Sequence, residues 1–384
     1  MPKDKSRWMA TDAALPIAIE VLKHGPISRN EVARRVGLTR GSLSRLTAPL
    51  LSTGLLLEVG ELSDGKVGRP TQLLDVDPDS HFFVGIKLRE NELTTALTNL
   101  RGSIIRSRVQ PFDDNSPGAV TELIAHEVRE VAQGVTVTGI GIGIGGLVRN
   151  REVVTSAHFL GWHDVALAHL ISEATGIATM VENDAIAFTE YEHWFGEGKT
   201  DERFAVVTLG TGIGFGLVMN GAVVLDEEYG RGAVSHWPLR DNGPLCQEGH
   251  HGCATGLLHA EALSRQLSDV LGRTVSYQEV IRLAQGGQPA ALRLVEEAGT
   301  GIGRLLAGIC SLTMPQRIII GGEGVELARI AWDAIHASMR ADRVTGSRTP
   351  PIVITSGDNA EWCRGAAVLA ITAFVQDQLP RPRE

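Results

Sequence analysis

The stretch FAVVTLGTGIGFGLVMN, residues 204–220, contains two apolar runs separated by a short segment rich in glycine. Short apolar runs bounded by glycine are typical of β-strands that pair in a hairpin. We therefore predict strands at 204–209 and 214–220, joined by the turn Gly210-Thr211-Gly212-Ile213. This strand–turn–strand unit is the reference for the rest of the chain.

An earlier region repeats the same order of elements. The patterns predict paired strands at 81–88 and 93–99, a return strand near 104–109, a helix at 117–132 and a glycine-rich strand at 139–144. Two such units imply an internal duplication. The plan is similar to that of the actin-like sugar kinases, which are two-lobed α/β proteins whose hairpin turns hold nucleotide phosphates.

Five further motifs make the resemblance more specific. From about residue 12 to residue 374 the chain resembles the ROK family, which contains repressors and sugar kinases. The motifs are Gly139-Ile140-Gly141-Ile142-Gly143-Ile144-Gly145-Gly146, Leu160-Gly161-Trp162, Glu182-Asn183-Asp184-Ala185, Leu209-Gly210-Thr211-Gly212-Ile213-Gly214 and Ile320-Gly321-Gly322-Glu323-Gly324-Val325. The resemblance implies that residues 78–384 form a ROK effector-binding and dimerisation domain, giving a homodimer or a dimer of dimers.

The first seventy residues have the pattern of a helix-turn-helix. Apolar residues recur at helical spacing from Asp12 to Lys23. Ser28 and Glu31 form a capping-box pair for a second helix at 30–36. Thr39 is a favoured N-cap for a third helix, which runs to about Thr53. Pro49 lies inside that helix and leaves open a kink or an early end near residue 47.

Two strands at 54–59 and 71–76, joined by a polar segment with glycine, complete a winged helix-turn-helix over residues 1–77. The third helix is expected to enter the major groove of an operator in double-stranded DNA, and the wing to reach the minor groove or the backbone. The alternative for the wing is a solvated hairpin tip. Arg40 and Arg45 contact either guanine or phosphate. The predicted DNA contacts are Thr39, Arg40, Ser42, Ser44, Arg45, Lys66 and Arg69.

Charge supports this division of the chain. Residues 1–70 carry eleven Lys and Arg against seven Asp and Glu, a net charge of +4, whereas the whole chain carries −9. A basic module on an acidic body indicates a polyanionic partner for the module alone, although chance fluctuation would give the same balance.

The first hairpin turn argues against catalysis. Family kinases have Asp-x-Gly-Gly-Thr there, and the matching residues of this chain are Lys87-Leu88-Arg89-Glu90-Asn91. The side chains at 89 and 90 fill space that glycine leaves open to phosphate, and Lys87 replaces an aspartate that helps to hold magnesium. We therefore expect neither ATP binding nor enzymatic activity. Asp184 keeps the position of the kinase base, as a vestige.

The resemblance also suggests an effector site, with substitutions. The family motif Gly-Glu-x-Gly-His becomes Gly232-Ala233-Val234-Ser235-His236, and a second sugar-binding glutamate becomes Thr255. Loss of two acceptors for sugar hydroxyls predicts an effector that differs from a common hexose, such as a modified or smaller sugar. The predicted effector contacts are Gly146, Asn183, Asp184 and His236. Asn183 and Asp184 also fit a simple N-cap of the following helix.

A structural zinc site is implied by the same resemblance. The family's Cys-x-Cys-Gly-x-x-Gly-Cys becomes a segment in which Glu248 replaces the second cysteine. A carboxylate is an acceptable zinc ligand, so the predicted set is His236, Cys246, Glu248 and Cys253. His250 or His251 in place of Glu248, and a loop that binds no metal, are the alternatives.

Composition sets the remaining limits. No apolar run approaches the length of a membrane span, no secretion signal is recognisable, and four cysteines do not suggest a disulfide framework. We expect a cytoplasmic protein with no membrane partner. The leading hypothesis is a regulator, in the default case a repressor, of carbohydrate-related genes. The alternatives are a sugar kinase with a DNA-binding module, and a regulator that responds to a protein partner.

Overall fold

The computed structural model describes residues 10–62, 71–225 and 234–379. Residues 10–77 contain three helices and a three-stranded sheet of order β1-β3-β2. In chain order the elements are α1 (Leu15–His24), β1 (Ile27–Ser28), α2 (Arg29–Arg35), α3 (Arg40–Thr53), β2 (Leu57–Leu62) and β3 (Thr71–Asp75). This arrangement is a winged helix-turn-helix.

Local caps explain where these helices begin and end. The Ser28 side chain accepts a hydrogen bond from the Glu31 N–H, and the Thr39 side chain accepts one from the Ser42 N–H. α3 continues through Pro49 to residue 53, so it does not end early near Thr47. The strand predicted to begin at Gly54 begins at 57, because residue 54 is a left-handed C-cap whose turn still bonds to the helix.

The body is built from two lobes of the same topology. The first lobe has a five-stranded sheet of order β11 (Thr179–Asn183), β7 (Val137–Ile144), β4 (Phe82–Leu88), β5 (Glu92–Asn99) and β6 (Ile104–Pro111). The second has one of order β14 (Ala222–Val223), β13 (Ile213–Met219), β12 (Phe204–Leu209), β15 (Arg317–Gly321) and β16 (Ile352–Ile354). In each sheet an antiparallel hairpin (β4–β5 or β12–β13) pairs in parallel with a later strand, β7 or β15, which pairs in parallel with an edge strand. The repeated order confirms the predicted duplication.

The first lobe contains β4 (Phe82–Leu88), β5 (Glu92–Asn99), β6 (Ile104–Pro111), α4 (Pro117–Val131), β7 (Val137–Ile144), β8 (Leu147–Arg149), β9 (Val153–Ala157), β10 (Trp162–Val165), α5 (Leu167–Thr175), β11 (Thr179–Asn183) and α6 (Asp184–Trp194). Short 3-10 helices lie at Pro78–Ser80 and His158–Leu160. The second lobe contains β12 (Phe204–Leu209), β13 (Ile213–Met219), β14 (Ala222–Val223), α7 (Ala254–Leu258), α8 (Ala260–Leu271), α9 (Tyr277–Gln285), α10 (Pro289–Thr313), β15 (Arg317–Gly321), α11 (Val325–Ile330), α12 (Trp332–Ala341) and β16 (Ile352–Ile354).

The C-terminal helix α13 (Asn359–Val375) crosses the first sheet. It lies so close that a Cβ atom at Gly85 would be 1.9 Å from the Cys363 carbonyl oxygen, and one at Gly141 would be 1.7 Å from the Ala366 carbonyl oxygen. Only glycine fits at such separations, which explains Gly85 on β4 and Gly141 on β7. Within the part of the chain that is described, no helix combines the length and apolar character needed to span a bilayer.

The winged helix-turn-helix packs directly on the body. Its core residues, among them Ile17 and Leu22, belong to one apolar cluster with Trp194 at the end of α6 and with Ile371 and Phe374 near the end of α13. The contact is therefore apolar at its centre. It involves two helices, α6 and α13, whose opposite ends contact Lys87 and Arg89 at the first hairpin.

Candidate functional site

The outer face of α3 presents the residues predicted to contact DNA. Arg40, Ser44 and Arg45 are exposed, whereas Leu43 is buried in the core of the small domain. Thr39 and Ser42 are joined through their hydroxyl groups, 3.1 Å apart, as part of the N-cap. Lys66 and Arg69 lie outside the described residues.

Three of the four predicted effector residues lie together at the carboxyl ends of β7 and β11. The Asn183 side chain caps α6 by accepting hydrogen bonds from the N–H groups of Ala185 and Ile186. Its amide nitrogen donates to the Gly146 carbonyl at 3.0 Å. Asp184 is the first residue of α6. The N-cap that we predicted as the structural alternative for Asn183 is therefore present. It does not exclude a role of Asn183 and Asp184 in effector binding.

His236 lies in a different group, with Cys246, His250 and Cys253. The potential ligand atoms of these four side chains are all within 4.8 Å of one another. The Cys246 sulfur is 3.7 Å from His236 Nδ1 and 3.6 Å from His250 Nδ1, and the Cys253 sulfur is 3.7 Å from His236 Nδ1. Zinc–sulfur and zinc–nitrogen bonds in a tetrahedron put neighbouring ligand atoms about 3.6 Å apart. The donor set and its spacing fit zinc.

The fourth member of this group is His250, and not Glu248 as predicted. A tight turn explains the correction: the Gly249 N–H donates to the Cys246 carbonyl, and Gly249 has a φ of 85°. This turn leaves Glu248 exposed at its tip and brings His250 back beside Cys246. The His251 Nδ1 instead lies 3.3 Å from a backbone carbonyl.

Burial lowers the pKa of His236, which favours the neutral imidazole that binds metals. Thr255, where family sugar kinases carry a glutamate, uses its hydroxyl to donate to the Ser235 carbonyl at 2.8 Å. Threonine at position 255 thus forms a hydrogen bond to the backbone of the segment before His236, in place of a glutamate that could bind a sugar hydroxyl. Ala233 lies outside the described residues.

The ammonium group of Lys87 forms an ion pair with Asp184. Lys87 is only 6% exposed, and its Nζ lies 4.7 Å from the centre of the Trp362 ring. The other oxygen of Asp184 accepts a hydrogen bond from its own helix, at the Ala185 N–H. The carboxylate that we predicted to be a vestigial kinase base is thus paired with a buried cation. Sequence reasoning missed this pair, although the change from an acidic to a basic residue at position 87 was a usable signal.

Comparisons with known proteins agree with this fold and with the family resemblance. The model of the ROK family matches residues 83–373. The xylose repressor of Bacillus subtilis is 27% identical over 312 residues, which cover 80% of this chain and 81% of the repressor. A crystal structure of a ROK family transcriptional regulator, a homologue of the Escherichia coli MLC protein, has a TM-score of 0.80 at 23% identity and covers 95% of this chain and 96% of its own.

A ROK hexokinase from Thermus thermophilus has a TM-score of 0.64 at 29% identity. It covers 75% of this chain and 97% of its own length. The match to the regulator thus extends over nearly the whole chain, and the match to the kinase does not.

Proposed function

The chain belongs to the ROK family, and we propose that it is a DNA-binding transcriptional regulator of carbohydrate-related genes, by default a repressor. The observation that carries the proposal is the capped α3, whose exposed face bears Arg40 and Arg45 on a winged helix-turn-helix. The similarity to sugar-responsive regulators is further support, since the relatives include xylose and N-acetylglucosamine repressors. We propose residues 1–77 as the DNA-binding domain and residues 78–384 as the sensor and dimerisation domain.

The sensor is proposed not to act as a kinase. A general base must accept a proton from the attacking hydroxyl, and a carboxylate oxygen that already contacts a buried ammonium is occupied by that partner. The Lys87–Asp184 pair therefore favours sensing over phosphoryl transfer. Incubation with Mg-ATP and xylose, glucose or N-acetylglucosamine tests this. Formation of any sugar phosphate would favour the kinase alternative.

Two helices offer a physical connection between cleft and DNA. α6 begins at Asp184 and ends at Trp194, whose ring lies 5.7 Å from the ammonium of Lys23 in the small domain. We propose that a sugar or sugar-like effector near Asn183 and Asp184 shifts α6 and so reorients α3. A homodimer or a dimer of dimers on an inverted-repeat operator fits this scheme, because twofold protein symmetry matches twofold DNA symmetry.

DNA binding is tested by substitution on α3. Genomic fragments that bind the purified protein provide the operator probe. Arg40→Ala and Arg45→Ala are each expected to weaken its binding by about 1–3 kcal/mol if the arginine contacts a base. If the arginine instead contacts a phosphate, its removal should weaken binding to all DNA sequences alike. The slope of log binding constant against log salt concentration should then become shallower by about one. Fluorescence anisotropy over a series of salt concentrations separates the two.

Arg282→Ala is the matched control, because this exposed arginine lies on α9 of the second lobe. Unchanged binding by both α3 variants would contradict the proposed interface. Release of the operator by a protein, with no effect of any sugar in a calorimetric screen, would instead support the alternative of a protein-controlled regulator.

Arg101 is expected to hold the DNA-binding domain on the sensor. It donates to the carbonyl oxygens of Leu22 at 3.0 Å and Val21 at 3.1 Å, at the end of α1, and it pairs with Asp75. Hydrogen bonds from a charged donor contribute about 1.5–3 kcal/mol each. Arg101→Ala is therefore expected to weaken the docking by about 2 kcal/mol or more. In calorimetry a separate transition at lower temperature should appear.

Arg106→Ala provides the control for this experiment, since Arg106 is exposed on the neighbouring strand β6. The docking role would be refuted if both variants showed the same unfolding curve as the unaltered protein.

We propose that His236, Cys246, His250 and Cys253 hold a structural zinc ion. The two thiolates and two imidazoles form a closed ligand set, which is typical of zinc sites that stabilise a loop. Zinc there would fix the segment that precedes α7. No part of the proposed sensing step requires the ion to react.

A further inference from the structure

The carboxylate of Glu323 lies in the turn between β12 and β13. Glu323 follows β15, and its Oε1 accepts hydrogen bonds from the Thr211 N–H at 3.0 Å and from the Thr211 hydroxyl at 3.1 Å. A Cβ atom at Gly210 would stand only 2.3 Å from that oxygen. The carboxylate therefore occupies the space that glycine leaves open at the turn.

Such a turn is a binding site for anions. A glycine turn between strands directs backbone N–H groups into a concavity, where they stabilise negatively charged oxygens. Here the negative oxygens belong to the protein itself. Glu323 engages the N–H and the hydroxyl of Thr211, two donors that would otherwise be open to an anion.

The same carboxylate faces the other lobe. Its Oε2 is 3.8 Å from Arg89 Nη2, in the turn between β4 and β5. Arg89 also donates to the Asn359 side chain at 2.7 Å, where α13 begins. The two side chains are each about a quarter exposed, at 27% and 28%. Arg89 and Glu323 thus connect the hairpin turns of both lobes across the mouth of the cleft.

We infer that Glu323 is a built-in substitute for a nucleotide phosphate: it fills the anion site of the second hairpin, excludes phosphate groups from it, and ties the lobes together through Arg89. Because the site already contains an anion, phosphate would have to overcome both the occupied donors and the repulsion between like charges. The inference concerns the nucleotide half of the cleft. It holds or fails independently of operator binding and of the effector.

The first experiment measures gain of binding. Glu323→Ala removes the carboxylate and leaves the Thr211 donors and the Arg89 cation facing an open site. Sodium tripolyphosphate and Mg-AMPPNP are the probes, measured by calorimetry with the full chain. We expect the variant to bind tripolyphosphate at least about tenfold more tightly than the unaltered protein. That factor corresponds to 1.4 kcal/mol.

The control is Glu326→Ala, which makes the same change in net charge. Glu326 is on the next turn of chain, in α11, and pairs with Arg329. Equal binding of the probe by the unaltered protein and by folded Glu323→Ala would overturn the inference. So would an equal gain in the Glu326 control, because a general charge effect would then explain it.

A second variant tests the tie between lobes and keeps the volume of the side chain. Glu323→Gln retains a carbonyl that can accept from Thr211 but loses the charge that attracts Arg89. Hydrogen exchange should become about tenfold faster at residues 88–92 in the opposite lobe, as well as at 209–214. Faster exchange confined to 209–214 would refute the tie. This readout needs no ligand, so it tests the tie between the lobes even if the alanine variant does not fold, and tripolyphosphate binding to Glu323→Gln then tests the exclusion of phosphate.

Discussion

Replacing Asp184 by asparagine is expected to lower the free energy of unfolding by about 3 kcal/mol. The variant keeps the shape of the side chain but leaves the Lys87 ammonium buried without its carboxylate. Removing one partner of a buried ion pair typically costs about 3–5 kcal/mol, because the remaining charge is uncompensated. We place the cost at the lower end, since the Asp184 side chain is 20% exposed and the Trp362 ring still faces the cation. Urea denaturation followed by circular dichroism measures the loss.

The double variant Lys87→Met, Asp184→Asn is the control for this prediction. It removes both charges, so it should recover most of the stability lost in the single variant. A single variant as stable as the unaltered protein would show that Lys87 is not held by Asp184. Comparison of the two variants also separates stability from effector binding. The double variant should regain stability but still lacks the Asp184 carboxylate, so any effector contact that this carboxylate makes remains lost.

Replacing His250 by alanine is expected to reduce zinc affinity at least about 100-fold, because even partners outside the ligand shell change metal affinity 10–100-fold. Cys253→Ser should have a similar effect, through loss of a thiolate ligand. Mass spectrometry of the purified protein gives the metal content, and competition with a chromophoric chelator gives the affinity. Removal of the ion should also lower the melting temperature, since its binding energy stabilises the folded loop.

Glu248→Gln is the matched control, because Glu248 lies in the same turn but is not a member of the group of close ligand atoms. This variant should keep its zinc. A protein that loses the ion with Glu248→Gln and keeps it with His250→Ala would restore the ligand set expected from sequence. Absence of bound metal from the unaltered protein after purification in zinc-containing buffer would contradict the proposed zinc site.

Turn geometry accounts for the one difference between the ligand set predicted from sequence and the group of side chains that the structure brings together. The spacing of residues 246–253 placed Glu248 where the related motif has a cysteine, and His250 stood among the alternatives. Which side chain returns to Cys246 depends on the conformation at Gly249, whose φ is 85° in the folded turn, and glycine also adopts negative φ values readily. Spacing alone does not specify that choice.

The winged helix-turn-helix could be predicted from the sequence, because its signals are short-range. The residues that begin helices α2 and α3, Ser28 and Thr39, are N-caps that bond to backbone N–H groups only three residues further along the chain. Such short-range signals are visible in the sequence. The duplication was also recognisable, because strand–turn–strand units are local in sequence. The small strand β1 was missed, since its two residues form a strand only by pairing with β3.

The stretch at 204–220 and the related unit at 81–99 were therefore sufficient to predict the α/β plan and the duplication, because short-range patterns encode both. The absence of glycine from the first hairpin turn is also visible in the sequence itself. Tertiary structure alone decided that Lys87 reaches Asp184, which is 97 residues away, and that Glu323 reaches Thr211, 112 residues away. These ion pairs and hydrogen bonds depend on which strands become neighbours in the folded sheets. A charge in the sequence indicates that a partner is needed, and only the packing of the lobes selects which one.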